Sequence, residues 1–146
     1  MRIEIFSDFA CPFCYIAKRR LEQAIAELGM EEQVELFYKA YQLNPMADPF
    51  EVKLMFAEGQ PTSSEKLEAV YAHAAEVGLN YNFEKVLIGN TQNAHRLAKW
   101  AAVHGRASEF IEETMHRYFT QGLNINDTDA LLDIVESVGL SVEEGR

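Results

Sequence analysis

The sequence predicts an α/β protein that begins with a β-α-β unit and continues as a helical domain. Two short stretches, residues 3–6 and 34–38, are rich in the β-branched and aromatic residues typical of strands. Between them, apolar residues recur at spacings of three and four, as on one face of a helix. From residue 63 to residue 138 the helical pattern dominates. A chain of 146 residues is long enough to bury roughly 68–70% of its unfolded surface.

The β-α-β unit takes up the first 38 residues. Ile3 and Ile5 alternate with Glu4, which predicts a short strand. The helix that follows begins at Pro12 and stops at Gly29. Its predicted inward face consists of Phe13, Ile16, Ala17, Leu21, Ala24, Ile25 and Leu28, and its predicted outward face of Lys18, Arg19, Glu22, Gln23 and Glu27. The second strand should pair with the first in parallel, through a right-handed crossover.

Helix start and stop signals divide the remainder of the chain. Residues 39–62 carry three of the four prolines and are predicted as a loop with one helical turn. Predicted helices run from the capping box Thr62-Ser63-Ser64-Glu65 to Gly78, from Thr91 or Asn93 to Gly105, from Ala107 to Thr120, and from Asp127-Thr128 to Gly139. Ser141 to Glu144 repeats the start signal. We therefore expect an N-terminal part at 1–62, an inserted helical domain at 63–140, and the start of a further helix at 141–146.

Both cysteines of the chain stand where the first strand gives way to the first helix. Cys11 falls at the helix N-terminus, where unpaired N–H groups and the helix dipole favour an anion. Such a setting lowers a cysteine pKa from about 8.5 into a range of roughly 3.5–7.5, and the thiolate is the reactive nucleophile. Cys14 lies one turn further along, within reach of a mixed disulfide formed at Cys11. Pro12 suits the first helical position. The spacing therefore indicates a redox pair.

Three other interpretations of the cysteine pair stay open. The pair could be half of a zinc site. Such a site would have to be shared between two chains, because this chain has no second cysteine pair and no histidine at zinc-finger spacing. The cysteines could be buried packing residues. They could also form a structural disulfide, which requires an oxidising compartment.

Composition and charge exclude several classes of partner. The net charge of -10 disfavours nucleic acid and anionic membranes. No apolar run approaches the roughly 20 residues of a membrane span. Met1 to Glu4 lead directly into a strand without the features of a signal peptide, so we expect a cytoplasmic protein. No cofactor and no resident metal are expected.

The residues around the cysteine pair resemble one known family. The stretch 6–16, with Lys18 and Arg19, is similar to the DsbA-like thioredoxin family, in its FrnE-type cytoplasmic branch. Further similar stretches are 41–45, 90–97 and 122–125. The resemblance implies a thioredoxin-like core interrupted by a helical domain. It also implies thiol–disulfide oxidoreductase activity on protein or low-molecular-weight thiols, with Cys11 attacking and Cys14 resolving.

The resemblance is incomplete at its C-terminal side. Members of the family continue into further strands and a final helix, with a cis-proline loop that faces the cysteines. None of the four prolines, Pro12, Pro45, Pro49 and Pro61, matches that proline. We therefore expect the family's C-terminal strands to be missing from this chain. An open sheet edge recruits other chains, which predicts a homodimer. The alternative function is a catalytically impaired short form or fragment that acts as a binding or dimerising module.

Four further residues are candidates for contacting substrate or tuning the cysteines. Pro12 lies between the cysteines, and Phe9 and Phe13 could form an apolar rim for substrate, with core packing as the alternative. His95 either faces the cysteine cleft or is a hydrogen-bonded structural histidine. Acidic pairs such as Glu112-Glu113 are interpreted as solvated helix faces.

Overall fold

The computed structural model describes residues 1–48, 51–55 and 65–146 of the chain. Its strands are β1 (Arg2–Ser7), β2 (Glu35–Ala40), β3 (Lys53–Leu54) and β4 (Leu87–Ile88). Its helices are α1 (Pro12–Glu27), α2 (Glu65–Glu76), α3 (Gln92–Val103), α4 (Ala107–His116), α5 (Thr128–Ser137) and α6 (Val142–Gly145). A π-helical segment, Arg117–Gln121, continues α4. The predicted α/β class, the β-α-β start and the helical domain are confirmed.

Two predictions concern residues that the structure does not describe. The predicted domain boundary between 62 and 63 and most of the capping box at Thr62–Glu65 lie outside the described residues, as do Pro49 and Pro61. The boundary therefore stays a prediction.

The strands β1 and β2 form a parallel pair, and each residue from Arg2 to Ser7 lies opposite one from Glu35 to Ala40. Among the described residues this sheet has no third strand. Phe6 in β1 is 66% exposed. It helps line an open groove of about 640 Å³ between the sheet and the helices α3 and α4. One side of the sheet is thus accessible.

A second, two-stranded sheet was not predicted. Lys53 and Leu54 pair antiparallel with Ile88 and Leu87. The first two residues lie in the predicted loop, and the other two lie within the predicted helical domain, in a stretch to which no element was assigned. The prediction of only loop and helix here was wrong because two-residue strands are too short to show a period in the sequence. The pairing links the long loop after β2 to the helical domain.

The inward face of α1 was predicted correctly only in part. Lys18, predicted to face solvent, is 4% exposed, whereas Leu28, predicted to face inward, is 72% exposed. Ala17 and Ala24 are exposed as well. Ile16, predicted to face inward, is buried in the main hydrophobic cluster together with Tyr15. Helical periodicity shows that one face of a helix is apolar, but the face that is buried depends on what packs against the helix. Here Lys18 is buried because its ammonium group donates a hydrogen bond to the carboxylate of Glu112.

The hydrophobic core lies mostly among the helices that follow β2. Helices α2 to α5 and the segment 77–86 supply most of its side chains, and the N-terminal part adds Phe9, Tyr15 and Ile16. The α4 helix was predicted to run to Thr120, but it widens into the π-helical segment at Arg117. This segment buries both Tyr118 and Phe119, and the carbonyl of Phe119 accepts a hydrogen bond from the N–H of Asn82 at 2.8 Å.

The predicted helix starts at Asp127 and Ser141 are confirmed. The Oδ1 atom of Asp127 accepts hydrogen bonds from the N–H groups of Asp129 and Ala130 at the start of α5. Ser141 Oγ accepts one from the N–H of Glu144 in α6. The α3 helix begins after Thr91, whose side chain makes no capping hydrogen bond. The Oδ1 atom of Asn90 accepts from the N–H of Gln92 instead.

Candidate active site

The cysteine pair stands at the N-terminus of α1, where the sequence predicted it. Cys11 is the N-cap residue, with φ of −94° and ψ of 113°, and Pro12 occupies the first helical position. The N–H of Cys11 donates to the carbonyl of Asp8 at 3.3 Å, and the N–H of Cys14 donates to the carbonyl of Cys11 at 3.1 Å. Both thiols are free and partly exposed. The two side chains therefore lie on one turn, open to solvent.

The two thiols differ strongly in acidity. The pKa of Cys11 is lowered to about 6, chiefly by a hydrogen bond from the Cys14 thiol and also by the backbone N–H groups of Cys14 and Phe13, which together outweigh the cost of burial. The Cys11 side chain makes no helix-capping hydrogen bond, so these N–H groups act as nearby dipoles. The same thiol contact, followed by burial, raises the pKa of Cys14 far above its ordinary value. At neutral pH the pair is therefore a thiolate at Cys11 and a thiol at Cys14.

Asp8 and His95 form a buried polar pair next to the cysteines. Asp8 Oδ1 lies 3.0 Å from Nε2 of His95, and Asp8 Oδ2 accepts a hydrogen bond from the N–H of Leu43 at 2.9 Å. Burial alone would raise the pKa of Asp8, but the hydrogen bonds from His95, Leu43 and Thr91 lower it below its ordinary value. The carboxylate is therefore charged, and it opposes ionisation of both cysteines. The pair connects the cysteine turn to α3.

Tyr81 of the helical domain contacts the cysteine turn directly. Its hydroxyl donates a hydrogen bond of 2.5 Å to the carbonyl of Pro12. The Tyr81 ring stacks on Tyr15 at 6.2 Å and packs against Phe119 at 4.9 Å. Burial raises the pKa of Tyr81 well above its ordinary value, and the cysteines raise it further. The phenol is therefore neutral, so it keeps its proton as a hydrogen-bond donor.

A half-buried carboxylate joins α1 to α4 behind the cysteine turn. Glu112 accepts hydrogen bonds from Tyr15 Oη and Arg19 Nε, both at 2.8 Å, and from Lys18 Nζ at 3.0 Å. Glu22 is a second acceptor for Lys18. Burial raises the pKa of Glu112, but Arg19, Lys18 and Tyr15 together hold it below the ordinary value. The interpretation of Glu112 as a solvated residue was wrong, because its two cationic partners come from α1, more than 90 positions away in the sequence.

The structure separates the two phenylalanines predicted near the cysteines. Phe13 is 56% exposed beside Cys14, as the proposed rim requires. Phe9 is 2% exposed, which corresponds to the core alternative. Its ring packs on the imidazole of His95 at 4.8 Å between ring centres. His95 is itself 8% exposed and hydrogen-bonded to Asp8, in the arrangement of a structural histidine.

Three residues of the site were not predicted from the sequence. Asp8 could have been found, because it follows the first strand and precedes Cys11 by three residues. Tyr81 lies in the stretch 79–90, to which no element was assigned, and a local aromatic cluster with Phe83 was its only signal. The contact of Glu112 with α1 left no signal in the sequence.

Among the described residues, no group of three or more His, Cys, Asp or Glu side chains is placed to hold a metal ion. No helix in the same part of the chain is both long enough and apolar enough to cross a membrane.

Comparisons with known proteins agree with this geometry. Residues 2–146 match the family described as "DSBA-like thioredoxin domain". An uncharacterised protein of Bacillus subtilis, YwbO, is 27% identical over 145 residues, which cover 96% of this chain and 67% of that protein. A crystal structure from Streptomyces coelicolor, described as a probable DsbA oxidoreductase, superimposes with a TM-score of 0.85 at 30% identity, over 100% of this chain and 66% of that one.

A more distant structure shares the fold. The cytosolic disulfide reductase DsbM of Pseudomonas aeruginosa, solved with GSH, gives a TM-score of 0.65 at 13% identity, over 99% of this chain and 69% of that one. The present chain spans about two thirds of the length of these relatives.

Proposed function

The chain belongs to the family of DSBA-like thioredoxin domains, and on this premise we propose that it is a thiol–disulfide oxidoreductase that works through Cys11 and Cys14. The observation that carries the proposal is the placement of Cys11 at the N-cap of α1 with Cys14 on the same turn, an arrangement that makes the Cys11 thiol the more acidic of the two. A thiol–disulfide exchange reaction needs one cysteine that is a thiolate and attacks first, and a second cysteine that stays protonated until it resolves the mixed disulfide. The FrnE-type branch of the family stays a prediction.

The proposed reduction of a substrate disulfide takes two exchange steps. The Cys11 thiolate attacks one substrate sulfur, a bond forms between them, the substrate S–S bond breaks, and the other sulfur leaves as a thiolate that takes up a proton. The Cys14 thiol then gives its proton to solvent and attacks the Cys11 sulfur, which expels the second substrate thiolate. The enzyme ends as a Cys11–Cys14 disulfide, oxidised by two electrons, and the substrate is reduced by two. The reverse sequence oxidises a substrate dithiol.

Substrates, direction and location are the finer parts of the proposal. We propose protein or low-molecular-weight thiols and disulfides as substrates, and Phe13 supports this because it offers an exposed apolar side chain next to Cys14. The direction depends on the reduction potential relative to that of the compartment. The cytoplasmic location expected from the sequence stays a prediction, as does function without a resident metal or cofactor.

Alkylation of the wild-type protein tests the two cysteine roles. With limiting iodoacetamide, labelling of Cys11 should rise with pH through a midpoint near 6 and then level off, since only the thiolate reacts. Cys14 should stay unlabelled over the same range because its pKa is raised. Peptide mass spectrometry locates the label. In a Cys14→Ala control, loss of the thiol hydrogen bond should move the Cys11 midpoint to higher pH. Preferential labelling of Cys14 in the wild type would contradict the roles.

We further propose that the chain self-associates through the edge of β1 that has no strand partner among the described residues, together with the groove beside the β1–β2 sheet. The groove beside this sheet is lined by apolar side chains that include Phe6, Leu36 and Phe37. Antiparallel two-fold pairing of β1 about Ile3 would place Arg2 of each copy opposite Glu4 of the other. The ion pair that Arg2 and Glu4 form within one chain, at 2.9 Å, would then be exchanged between two copies, which favours a second copy as the partner. Such a contact also supports the alternative function as a dimerising module.

Multi-angle light scattering across a concentration series measures this association. The wild type should show a dimer that dissociates on dilution, and Phe6→Asp should remain a monomer at the highest concentration. Met46→Asp adds the same charge at an 89%-exposed side chain outside the groove and should dimerise as the wild type does. A wild type that stays monomeric throughout would contradict the proposal.

A further inference from the structure

One hydrogen bond connects the helical domain to the electrostatics of the attacking thiolate. The hydroxyl of Tyr81 donates to the carbonyl oxygen of Pro12 at 2.5 Å. That carbonyl and the N–H of Phe13 belong to the same peptide unit. The Phe13 N–H is one of the two backbone dipoles that stabilise the Cys11 thiolate. A chain of polar groups therefore runs from Tyr81 Oη through one amide to the Cys11 sulfur.

Polar interactions along such a chain strengthen one another. A donor on the carbonyl oxygen draws electron density from the amide, which makes the amide N–H more positive and a better donor. Tyr81 is buried, at 8% exposure, so water competes poorly for its hydroxyl or for the Pro12 carbonyl. Stacking on Tyr15 and Phe119 fixes the ring that carries the hydroxyl. The geometry therefore favours a persistent effect on the peptide.

We propose that Tyr81 is a positioning residue of the redox site, whose hydroxyl polarises the Pro12–Phe13 peptide and thereby stabilises the thiolate at Cys11. The inference deepens the proposed function and rests on it, since it needs Cys11 to be the attacking thiol. It assigns the helical domain a part in setting the reactivity of cysteines that belong to the N-terminal unit. Tyr81 acts through the peptide and touches no reacting atom.

The other groups that influence the acidity of Cys11 do not depend on the Tyr81 hydroxyl. Asp8 acts in the opposite direction, since its charge raises the pKa of both thiols. The thiol of Cys14 makes the largest contribution to the acidity of Cys11. Neither group touches the Tyr81 hydroxyl through a direct hydrogen bond in the structure. Loss of that hydroxyl should therefore change only the backbone contribution.

Replacement of Tyr81 by phenylalanine removes the hydroxyl and keeps the ring. The variant should alkylate at Cys11 about twofold to fivefold more slowly at pH 5.5, below the wild-type midpoint, because the thiolate fraction falls. Its equilibrium with a glutathione series should shift toward the disulfide by a similar factor, since a less stable thiolate makes the dithiol form less stable. Tyr71→Phe removes a hydroxyl from a ring that packs on Phe83 in the same cluster, and should match the wild type in both measurements.

A second variant separates polarisation from a general disturbance of the fold. Incorporation of 3-fluorotyrosine at position 81 keeps the ring and makes the O–H more acidic, and hence a stronger donor. It should speed Cys11 alkylation, opposite in sign to Tyr81→Phe. If circular dichroism shows that Tyr81→Phe is unfolded, the 3-fluorotyrosine variant alone still tests the role of the Tyr81 hydroxyl. Equal rates in the wild type and the folded Tyr81 variants would overturn the inference, as would an equal effect of Tyr71→Phe.

The alkylation midpoint of Cys11 in the wild type distinguishes failure of the proposed oxidoreductase function from failure of the proposed role of Tyr81. A Cys11 midpoint near the ordinary value of about 8.5 would contradict the proposed function itself. An acidic Cys11 that is indifferent to both Tyr81 variants would contradict only the role of Tyr81.

Discussion

Replacement of Glu112 by glutamine is expected to lower the free energy of unfolding by roughly 2–4 kcal/mol at neutral pH. Glu112 holds Tyr15, Lys18 and Arg19 of α1 against α4. Lys18 is almost fully buried, and without this carboxylate Glu22 is the one acidic partner left to its charge among the described residues. For a chain of this size the loss corresponds to a fall of about 5–12 °C in Tm. Urea unfolding followed by circular dichroism measures it.

A matched control lies one position along the same helix. Glu113→Gln removes the same charge from a more exposed side chain, whose partner Arg117 keeps its second contact with Asp133. The control should cost less than about 1 kcal/mol, as exposed ion pairs usually do. Equal destabilisation by the two variants would show that the contacts of Glu112 with α1 contribute no more than a surface ion pair.

The stabilisation by Glu112 should depend on pH in a defined direction. The folded-state pKa of Glu112 lies below its ordinary value. Its contribution is therefore fully present above the ordinary glutamate pKa of about 4.3 and is lost as the pH falls through the lower folded-state value. The difference in stability between the wild type and Glu112→Gln should narrow on acidification below about pH 4.

The sequence predicted the cysteine turn correctly, because its geometry depends on residues that are adjacent in the chain. The strand, the cysteine spacing and Pro12 are adjacent in the chain, and together they place Cys11 at a helix N-terminus. The N-cap at Asp127 was likewise predictable, because its side chain bonds to backbone groups two and three positions ahead. Such interactions need no knowledge of the tertiary structure.

Contacts between distant residues could not be predicted in this way. Lys18 and Glu112 each lie on a helix whose pattern is compatible with solvent exposure, and only the packing of α1 on α4 brings them together. Tyr81 reaches Pro12 across 69 positions of sequence, from a stretch without helical or strand periodicity. The second sheet has two residues in each strand. In each case the deciding interaction is tertiary, and a single sequence carries no pattern for it.

The largest expected effect on activity comes from substitution of the cysteines. Cys11→Ser should reduce the rate of disulfide reduction to the uncatalysed background, because a serine hydroxyl stays protonated and is a poor nucleophile toward sulfur. Cys14→Ser should also stop turnover but leave the first step intact. The matched pair of serine variants therefore separates the attacking residue from the resolving one.

Intact-mass spectrometry after incubation with glutathione disulfide tests the central claim most directly. The wild type should release two glutathione molecules and form an internal disulfide, Cys14→Ser should retain one glutathionyl group on Cys11, and Cys11→Ser should retain none. A glutathionyl group on Cys14 with Cys11 free would contradict the assigned roles. A wild type that stays reduced, or that holds stoichiometric zinc between its cysteines, would contradict the account of a redox pair.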